Sequence, residues 1–539
     1  MIVKNEEKNL GGILSDIHDV MDEICIVDTG SSDRTIPLAE SFGARIEHFP
    51  WRDDFSAARN HSLGCAHSDY LIWLDADDRI DENDREALRI LKLHLRPEKD
   101  KAYMLKILGR SDDMPDTVSY QTRIIPNRNG VCFEGRVHEQ ILPSLKRSAI
   151  EVEPVDIAIR HTGYHDRDVR MAKSRRNLEI LTEELKAGKD TASQHFFMAM
   201  ACIGMEDCEQ CLEHLFIARQ KRSNEDWLHF SYTVSTDCLL RLERIEDALT
   251  EITRGTIIFK DSPLLHYYLG LVCMKAERFT EAAAAFEKAA SLPQRIDSYP
   301  LPPDLNTAII LQLGKALEKA GSPGRAIETY RRALKSGSQN KILNQALGTT
   351  LLQTGKIDDA LLHLGKAREL SSTVDSALWE SLARVHLFQK NHDRAHALYL
   401  EILRDNPDHQ HALAGILDTS IGLDDIDTFL SALEKLLLIS GIPIPEAEIE
   451  SLVQCAELCM KIASRIKEDG DRGLARHLAE IALRLDASCV NAYLLLADLS
   501  AEEEDTLRMI EGLEAALKSG ADGEEIMKRL DAAKLSSSR

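Results

Sequence analysis

Short apolar runs alternate with helically spaced apolar positions along the first part of the chain. The runs are Ile2–Val3, Ile24–Val27, Arg45–Phe49 and Tyr70–Leu74. Between the first two runs, apolar residues recur at the spacing of one face of an α-helix. Strands that alternate with helices at this pitch predict a parallel α/β sheet.

The pattern then changes, because further apolar runs follow one another without long helices between them. These runs are Lys101–Leu108, Tyr120–Ile125, Val131–Phe133 and Val155–Ile159. Strands in direct succession favour antiparallel pairing, so we expect a mixed sheet with an antiparallel half. The predicted fold class of this region is α/β, with a Rossmann-like mixed sheet.

From about residue 167 to the end the pattern is helical, and small residues recur at a fixed pitch. Five alanines lie 34, 44, 34 and 35 positions apart, and each precedes a bulky apolar residue by four positions. The pairs are Ala248 and Ile252, Ala282 and Phe286, Ala326 and Tyr330, Ala360 and Leu364, and Ala395 and Tyr399. This small/large code is typical of tetratricopeptide repeats, which stack into an all-α solenoid. The longest interval contains residues 294–303, which we expect to form an inserted loop.

The length, charge and cysteine content of the chain exclude some classes of protein. The chain has 539 residues, of which 44% are hydrophobic and 29% charged, and a formal net charge of −23 at pH 7. This length predicts several domains, and the negative charge argues against a nucleic-acid or anionic-membrane binder. The cysteines follow no regular framework, the N-terminal residues lack an apolar signal region, and no apolar run is long enough to span a membrane. We therefore expect a cytoplasmic protein with reduced thiols and no transmembrane segment.

Three acidic residues, Asp75, Asp77 and Asp78, follow the run Tyr70–Leu74 directly. In an extended backbone Asp75 and Asp77 lie on the same side, and carboxylates this close repel one another unless a cation or donor groups neutralise them. Oxygen-rich sites of this kind suit Mg²⁺ or Mn²⁺, which also bind substrate phosphates. The alternative is a solvated acidic turn before a helix that Asp81 caps. The residues alone leave both interpretations open.

Four ordered segments together resemble a known family. They are Met1–Glu7, Val27–Thr35, Phe49–Asn60 and Trp73–Asp78. They resemble family 2 glycosyltransferases of the GT-A fold, in the bacterial branch in which this domain precedes tetratricopeptide repeats. The resemblance covers about the first 165 residues. The predicted domains are residues 1–166, with the GT-A fold, and residues 167–539, with the clearest repeats at about 229–407.

The resemblance implies roles for residues of these segments. Asp28 would hold the base of a nucleotide sugar, Arg59 would lie against the nucleotide, and Val3 would belong to the same pocket. Asp75 and Asp77 would form the D-x-D pair that binds a divalent cation, Mn²⁺ or Mg²⁺, with Asp77 as the more direct ligand. Such a cation stabilises the charge that develops on the leaving nucleoside diphosphate.

Two later segments, Phe133–Glu139 and His161–Tyr164, resemble the same branch. They imply His161 as a ligand of the metal or diphosphate, and Glu139 as the base that takes the acceptor's proton, with His138 behind it. The alternative for Glu139 is a surface glutamate that closes a strand.

Two arginines and the start of the chain lead to further expectations. Arg123 and Arg136 are candidates for bidentate contact with phosphate, and the alternative for each is a solvated arginine. The chain begins almost at the first loop, so we expect the first edge of the nucleotide pocket to be incomplete.

The leading hypothesis is a metal-dependent, inverting glycosyltransferase that uses a nucleotide-sugar donor, with UDP favoured by the resemblance. The predicted acceptor is a protein or peptide on the concave face of the repeats. An alternative acceptor is a cell-envelope glycan or a lipid-linked molecule. A hypothesis of another class is a scaffold with an inactive glycosyltransferase-like domain. Four intact residues argue against it: Asp28, Arg59, Asp75 and Asp77.

Overall fold

The computed structural model describes residues 1–96, 101–109, 117–162, 167–221, 227–293, 302, 304–336, 339–443, 451–503, 505–521 and 523–537. The chain divides into two compact units, Met1–Ser322 and Pro323–Arg539. The first unit contains the sheet region and the first helices of the array, and the described part of the second unit is helical.

The sheet region has eight strands and five helices among its described residues. The strands are β1 (Ile2–Val3), β2 (Cys25–Asp28), β3 (Arg45–His48), β4 (Tyr70–Ile72), β5 (Asp78–Arg79), β6 (Lys101–Gly109), β7 (Thr117–Pro126) and β8 (Glu151–His161). The helices are α1 (Leu10–Ile17), α2 (Thr35–Ser41), α3 (Phe55–Cys65), α4 (Glu82–His94) and α5 (Leu142–Arg147).

The strands form two hydrogen-bonded sheets. β1, β2 and β3 are parallel to one another, and Val3 lies opposite Asp28. The other strands form a mixed sheet in the order β4-β7-β6-β8-β5, in which only β6 and β8 pair in parallel. The α/β class and the mixed sheet are confirmed, whereas the expected single sheet is replaced by two in the described residues.

One predicted strand does not form, since residues 131–133 lie in a loop. The Phe133 N–H donates to Asn60 Oδ1 at 2.7 Å, and Asn60 Nδ2 donates to the Phe133 carbonyl at 2.9 Å. The Asn60 side chain thus takes the hydrogen bonds that the Phe133 N–H and carbonyl would make with a neighbouring strand in a sheet. Only Glu134 and Gln140 make an isolated bridge in this part of the described chain.

The main core of the sheet region lies between α1 and the strands. The predicted apolar face of α1 is buried, with Leu10, Ile13, Leu14 and Ile17 pointing inward. They belong to one cluster with side chains of both sheets, among them Ile26 and Leu105. The hydrophobic spacing of the sequence therefore positions the first helix correctly.

Acidic caps start the helices that follow β3 and β5. Asp54 accepts a hydrogen bond from the Ala57 N–H at 2.8 Å at the start of α3. Asp81 accepts one from the Asp84 N–H at 3.1 Å at the start of α4. Side chains at this position satisfy backbone donors that have no partner within the helix. Asp81 is therefore a cap, and the acidic residues before it form a separate turn.

A cavity of about 450 Å³ lies between the two sheets, with Met1, Cys25, Leu71 and Ile124 among its lining residues. The Met1 amino group donates to the Cys25 carbonyl at 2.8 Å, and burial lowers the pKa of this group to about 6. β1 has only two residues, as its sequence predicts. The cavity lies beside the amino ends of β1 and β2, and neither Val3 nor Asp28 is among its lining residues.

The remaining described elements are helices. In the first unit they are α6 (Arg167–Lys186), α7 (Ala192–Gly204), α8 (Cys208–Gln220), α9 (Leu228–Arg241), α10 (Ile245–Ile258), α11 (Pro263–Lys275), α12 (Phe279–Ser291) and α13 (Leu305–Lys319). In the second unit they are α14 (Pro323–Ser336), α15 (Lys341–Gln353), α16 (Ile357–Glu369), α17 (Ser376–Phe388), α18 (His392–Asp405), α19 (Gln410–Leu423), α20 (Ile426–Ile439), α21 (Leu452–Glu468), α22 (Arg472–Leu485), α23 (Val490–Glu502), α24 (Thr506–Lys518) and α25 (Gly523–Ser537).

The small/large code of the repeats lies in the core. All five alanines and their bulky partners are at most 2% exposed. Small residues allow the two helices of a unit to approach closely, and the bulky side chain fills the remaining space. The inserted loop predicted at 294–303 lies outside the described residues except for position 302. Within the described part of the chain, we find no helix with both the length and the apolar character needed to span a bilayer.

Candidate active site

The acidic residues lie in a tight turn that follows β4. The Asp78 N–H donates to the Asp75 carbonyl at 3.1 Å, and the Asp75 N–H donates to Asp78 Oδ2 at 2.8 Å. The Thr162 N–H and hydroxyl both donate to the Asp77 carbonyl, at 3.0 and 2.8 Å. The extended backbone expected for Asp75 and Asp77 is therefore wrong, because the chain turns back to pair β5 with β8.

This turn and the end of β8 bring four potential metal ligands together. One ligand atom from each of Asp75, Asp77, Asp78 and His161 lies within 4.8 Å of the others. His161 Nδ1 is 2.9 Å from Asp78 Oδ1 and 3.5 Å from Asp77 Oδ1. Burial opposes protonation of His161, but these carboxylates raise its pKa above the ordinary value. We call these four residues the acidic cluster.

Asp78 is the member of the acidic cluster to which the sequence gave no role. Its side chain is completely buried, and Arg123 Nη1 lies 3.3 Å from its Oδ2. The available signal was its position directly after the D-x-D pair. A carboxylate buried to this degree needs charged or donor partners, and its contacts with Arg123, His161 and the Asp75 N–H supply them.

Two arginines neutralise Asp75. Arg59 Nη2 donates to Asp75 Oδ1 at 2.8 Å, and Arg123 Nη1 lies 3.3 Å from Asp75 Oδ2. Both guanidinium groups contact the Trp73 ring, at 4.4 and 3.8 Å from its centroid. Burial alone would raise the pKa of Asp75, but the two arginines hold it far below its ordinary value. Arg59 and Arg123 thus act on the same carboxylate, which the sequence did not predict.

Glu139 and His138 reach the site from a loop between β7 and α5. Glu139 Oε1 accepts a hydrogen bond from Arg59 Nε at 2.6 Å, so Arg59 links Glu139 to Asp75. His138 has a positive φ of 50° and stacks on Phe197 of α7, with ring centroids 4.8 Å apart. Burial lowers the pKa of His138. The loop is therefore held from one side by Arg59 and from the other by the first helices of the array.

Asp28 and Val3 lie at the carboxyl ends of β2 and β1. Asp28 is 4% exposed, and its carboxylate accepts hydrogen bonds from the Gly30 and Ser31 N–H groups at 3.1 and 3.0 Å. Val3 is buried, and its carbonyl accepts from the Thr29 N–H at 3.0 Å. Ligands of open α/β sheets bind beyond such strand ends, so the positions suit a nucleotide pocket.

Arg136 lies apart from these contacts. Its Nε donates to the Asp53 carbonyl at 2.9 Å, and its Nη1 is 3.7 Å from Glu183 Oε2 of α6. The motif residue Tyr164 lies outside the described residues.

Comparisons with known proteins agree with the fold. Residues 1–123 match glycosyl transferase family 2, and residues 238–299, 311–375 and 345–410 match the tetratricopeptide repeat. A TPR repeat-containing protein of Synechococcus elongatus is 34% identical over 173 residues, covering 30% of this chain and 41% of the relative. The SPbeta prophage-derived glycosyltransferase SunS of Bacillus subtilis is 26% identical over 257 residues, covering 45% of this chain and 58% of the relative.

One solved structure is similar to part of the chain. The C-terminal part of a TPR repeat-containing protein from Cytophaga hutchinsonii is 16% identical and has a TM-score of 0.34, with 48% of this chain and 98% of that chain covered. The chain spans about half the length of the two curated relatives described above. The chain thus combines a region similar to family 2 glycosyltransferases, residues 1–123, with regions similar to tetratricopeptide repeats between residues 238 and 410.

Proposed function

We propose that the protein is a metal-dependent, inverting glycosyltransferase that moves a sugar from a nucleotide donor, with UDP as the favoured nucleotide, to an acceptor held by the repeats. The acidic cluster is the observation that carries this proposal. It offers three carboxylates and one imidazole within 4.8 Å. Carboxylate oxygens suit Mg²⁺ and Mn²⁺, and imidazole is compatible with Mn²⁺, so the donor set fits the cofactor.

Asp77 is the best placed direct ligand. Both oxygens of Asp75 accept from arginines, and Asp78 is fully buried among its own partners. Asp77 is 13% exposed, and its carboxylate lies 3.5 Å from His161 and 3.7 Å from Lys173. A divalent cation bound here would supply positive charge to the leaving nucleoside diphosphate.

The other residues would bind and orient the substrates. Asp28 and Val3 lie where the nucleoside would enter, at the ends of β2 and β1. Arg59 fixes the carboxylate of Glu139, which can accept a proton from the acceptor as it attacks the sugar. The attack would occur on the face opposite the leaving group, which inverts the anomeric carbon.

The acceptor proposal rests on the repeats. Stacked helical repeats commonly bind extended peptides, so we propose a protein or peptide acceptor rather than a free glycan. Mass analysis of proteins from a host with and without this gene would test it. A sugar-sized mass difference on a protein supports the proposal, whereas a change confined to glycans or lipids contradicts it.

Titration calorimetry tests the nucleotide and metal site. We expect the full chain to bind UDP or GDP only when MnCl₂ or MgCl₂ is present. Asp77→Asn should weaken this binding at least about tenfold, because it removes a ligand charge. Asp156→Asn is the matched control, since the Asp156 side chain is 89% exposed and pairs with Lys106. Absence of nucleotide binding by the unmodified chain would instead indicate an inactive scaffold.

A further inference from the structure

We propose that Lys173, on the first helix of the repeat array, binds the diphosphate of the donor. This inference rests on the proposed function. Lys173 Nζ lies 3.7 Å from Asp77 Oδ2, and its side chain is 38% exposed. The ammonium group therefore reaches the acidic cluster from α6, outside both the matched residues 1–123 and the predicted domain 1–166.

Packing fixes the position of α6 against the site. Ile180 and Leu181 of α6 form a buried cluster with Val137, which belongs to the loop that carries Glu139. About two turns before this cluster the helix passes the acidic turn, where Lys173 contacts Asp77. The lysine is therefore positioned by a buried contact of its helix.

Lys173 contacts a different carboxylate of the site from the two arginines. Arg59 and Arg123 are both engaged with carboxylates of the site, at 2.6–3.3 Å. Lys173 approaches Asp77, which we propose as the direct metal ligand. A divalent cation neutralises only part of the charge on a leaving nucleoside diphosphate, and cationic side chains commonly supply the rest.

A lysine is suited to this position. Its ammonium group has three donors on a flexible stem, so it can turn from a carboxylate to a phosphate bound beside it. If Asp77 held a cation, a phosphate bound to that cation would come close to Nζ, because Nζ is within 4 Å of the Asp77 carboxylate. Lys173 would then contribute to binding of the phosphates but not of the nucleoside.

The test uses three variants of the full chain. Lys173→Met removes the charge at similar length, and Lys173→Arg keeps it. Lys186→Met is the matched control, because Lys186 is exposed in the last turn of the same helix, about 20 Å further along. Each is titrated with UDP and uridine, and with GDP and guanosine, in the presence of MnCl₂.

We expect Lys173→Met to weaken binding of the nucleoside diphosphate about tenfold. The affinity for the nucleoside should stay within about twofold of the wild-type value. Lys173→Arg should bind the nucleoside diphosphate within about threefold of the wild-type affinity, and Lys186→Met should bind it with the wild-type affinity. Equal losses for diphosphate and nucleoside, or no loss, would overturn the inference.

The same titrations separate this inference from the proposed function. If Asp77→Asn abolishes metal-dependent binding and Lys173→Met does not weaken it, only the role of Lys173 is wrong. If the unmodified chain binds no nucleotide, both proposals fail together.

Discussion

Arg59 joins two carboxylates that come from distant parts of the chain. Its side chain is 9% exposed, and it contacts Glu139 and Asp75 at 2.6 and 2.8 Å. The Trp73 and Phe133 rings cover the guanidinium group, at 4.4 and 5.7 Å from its carbon to the ring centroids. Charges removed from water in this way need their partners, so the three residues behave as one unit.

Replacing Arg59 should therefore destabilise the first unit. Arg59→Gln leaves the Glu139 carboxylate without its guanidinium partner, and we expect a loss of about 3 kcal/mol in the free energy of unfolding. Urea unfolding followed by circular dichroism measures it. The double variant Arg59→Gln/Glu139→Gln should recover part of the loss, because it removes the unpaired charge.

An exposed ion pair provides the control for this prediction. Arg147 and Glu134 pair on the surface, with side chains 59% and 42% exposed. Arg147→Gln should unfold at the same urea concentration as wild type, because water screens such a pair. Equal effects of Arg59→Gln and Arg147→Gln would show that burial of the Arg59 network contributes nothing.

At the scale of elements, the helix pairs of the array depend on glycines that allow close approach. A Cβ placed on Gly348 of α15 would lie 2.6 Å from Leu364 Cγ of α16. A Cβ on Gly270 of α11 would lie 2.5 Å from the Phe286 ring of α12. These glycines pack against the bulky residues of the small/large code, Phe286 and Leu364. A helix with such a glycine is therefore followed by a helix with a bulky apolar residue.

Two glycine-to-alanine substitutions in one helix pair should change the free energy of unfolding in opposite directions. Gly348→Ala inserts a methyl group into filled space, and we expect it to lower the free energy of unfolding by about 1–3 kcal/mol. Gly365→Ala, on α16, meets nothing within 4 Å. It should raise the free energy by about 0.5–1 kcal/mol, because alanine favours the helix. Calorimetric melting of both variants checks this, and a stabilising Gly348→Ala would contradict the packing.

At the scale of the whole molecule, the first helices of the array belong to the same compact unit as the sheet region. Val137 is 3% exposed and packs with Ile180, Leu181 and Met198. His138 stacks on Phe197 of α7. These contacts cover the loop that carries Glu139. A domain boundary at residue 166 would therefore separate this loop from helices that pack against it within the unit Met1–Ser322.

Truncation should reveal this dependence. A chain cut after Ser322 retains the first compact unit, and we expect it to fold cooperatively and to bind nucleotide as the full chain does. A chain cut after residue 166 exposes Val137 and its neighbours, and we expect it to aggregate or to lose nucleotide binding. Size-exclusion chromatography and calorimetry distinguish the two. A soluble, nucleotide-binding fragment 1–166 would contradict this prediction and favour the boundary at residue 166.

Local patterns of the sequence determined the elements and their order. The spacing of Leu10, Ile13, Leu14 and Ile17 predicted α1, and the alanine code predicted the repeat cores, because helical periodicity is a local property. The apolar run before Asp75 likewise predicted a strand leading to an acidic site. The conflict at residues 131–133 arose because Asn60, far away in sequence, takes over the hydrogen bonds of Phe133.

The tertiary structure alone decided which charges meet. Arg59 and Glu139 are 80 positions apart, and nothing in their local sequence indicates that they pair. The turn that buries Asp78 likewise depends on the pairing of β5 with β8. The approach of Lys173 to Asp77 depends on the packing of α6 against the loop of Val137. Charge pairing in a cleft is set by long-range packing, which the period of apolar residues cannot encode.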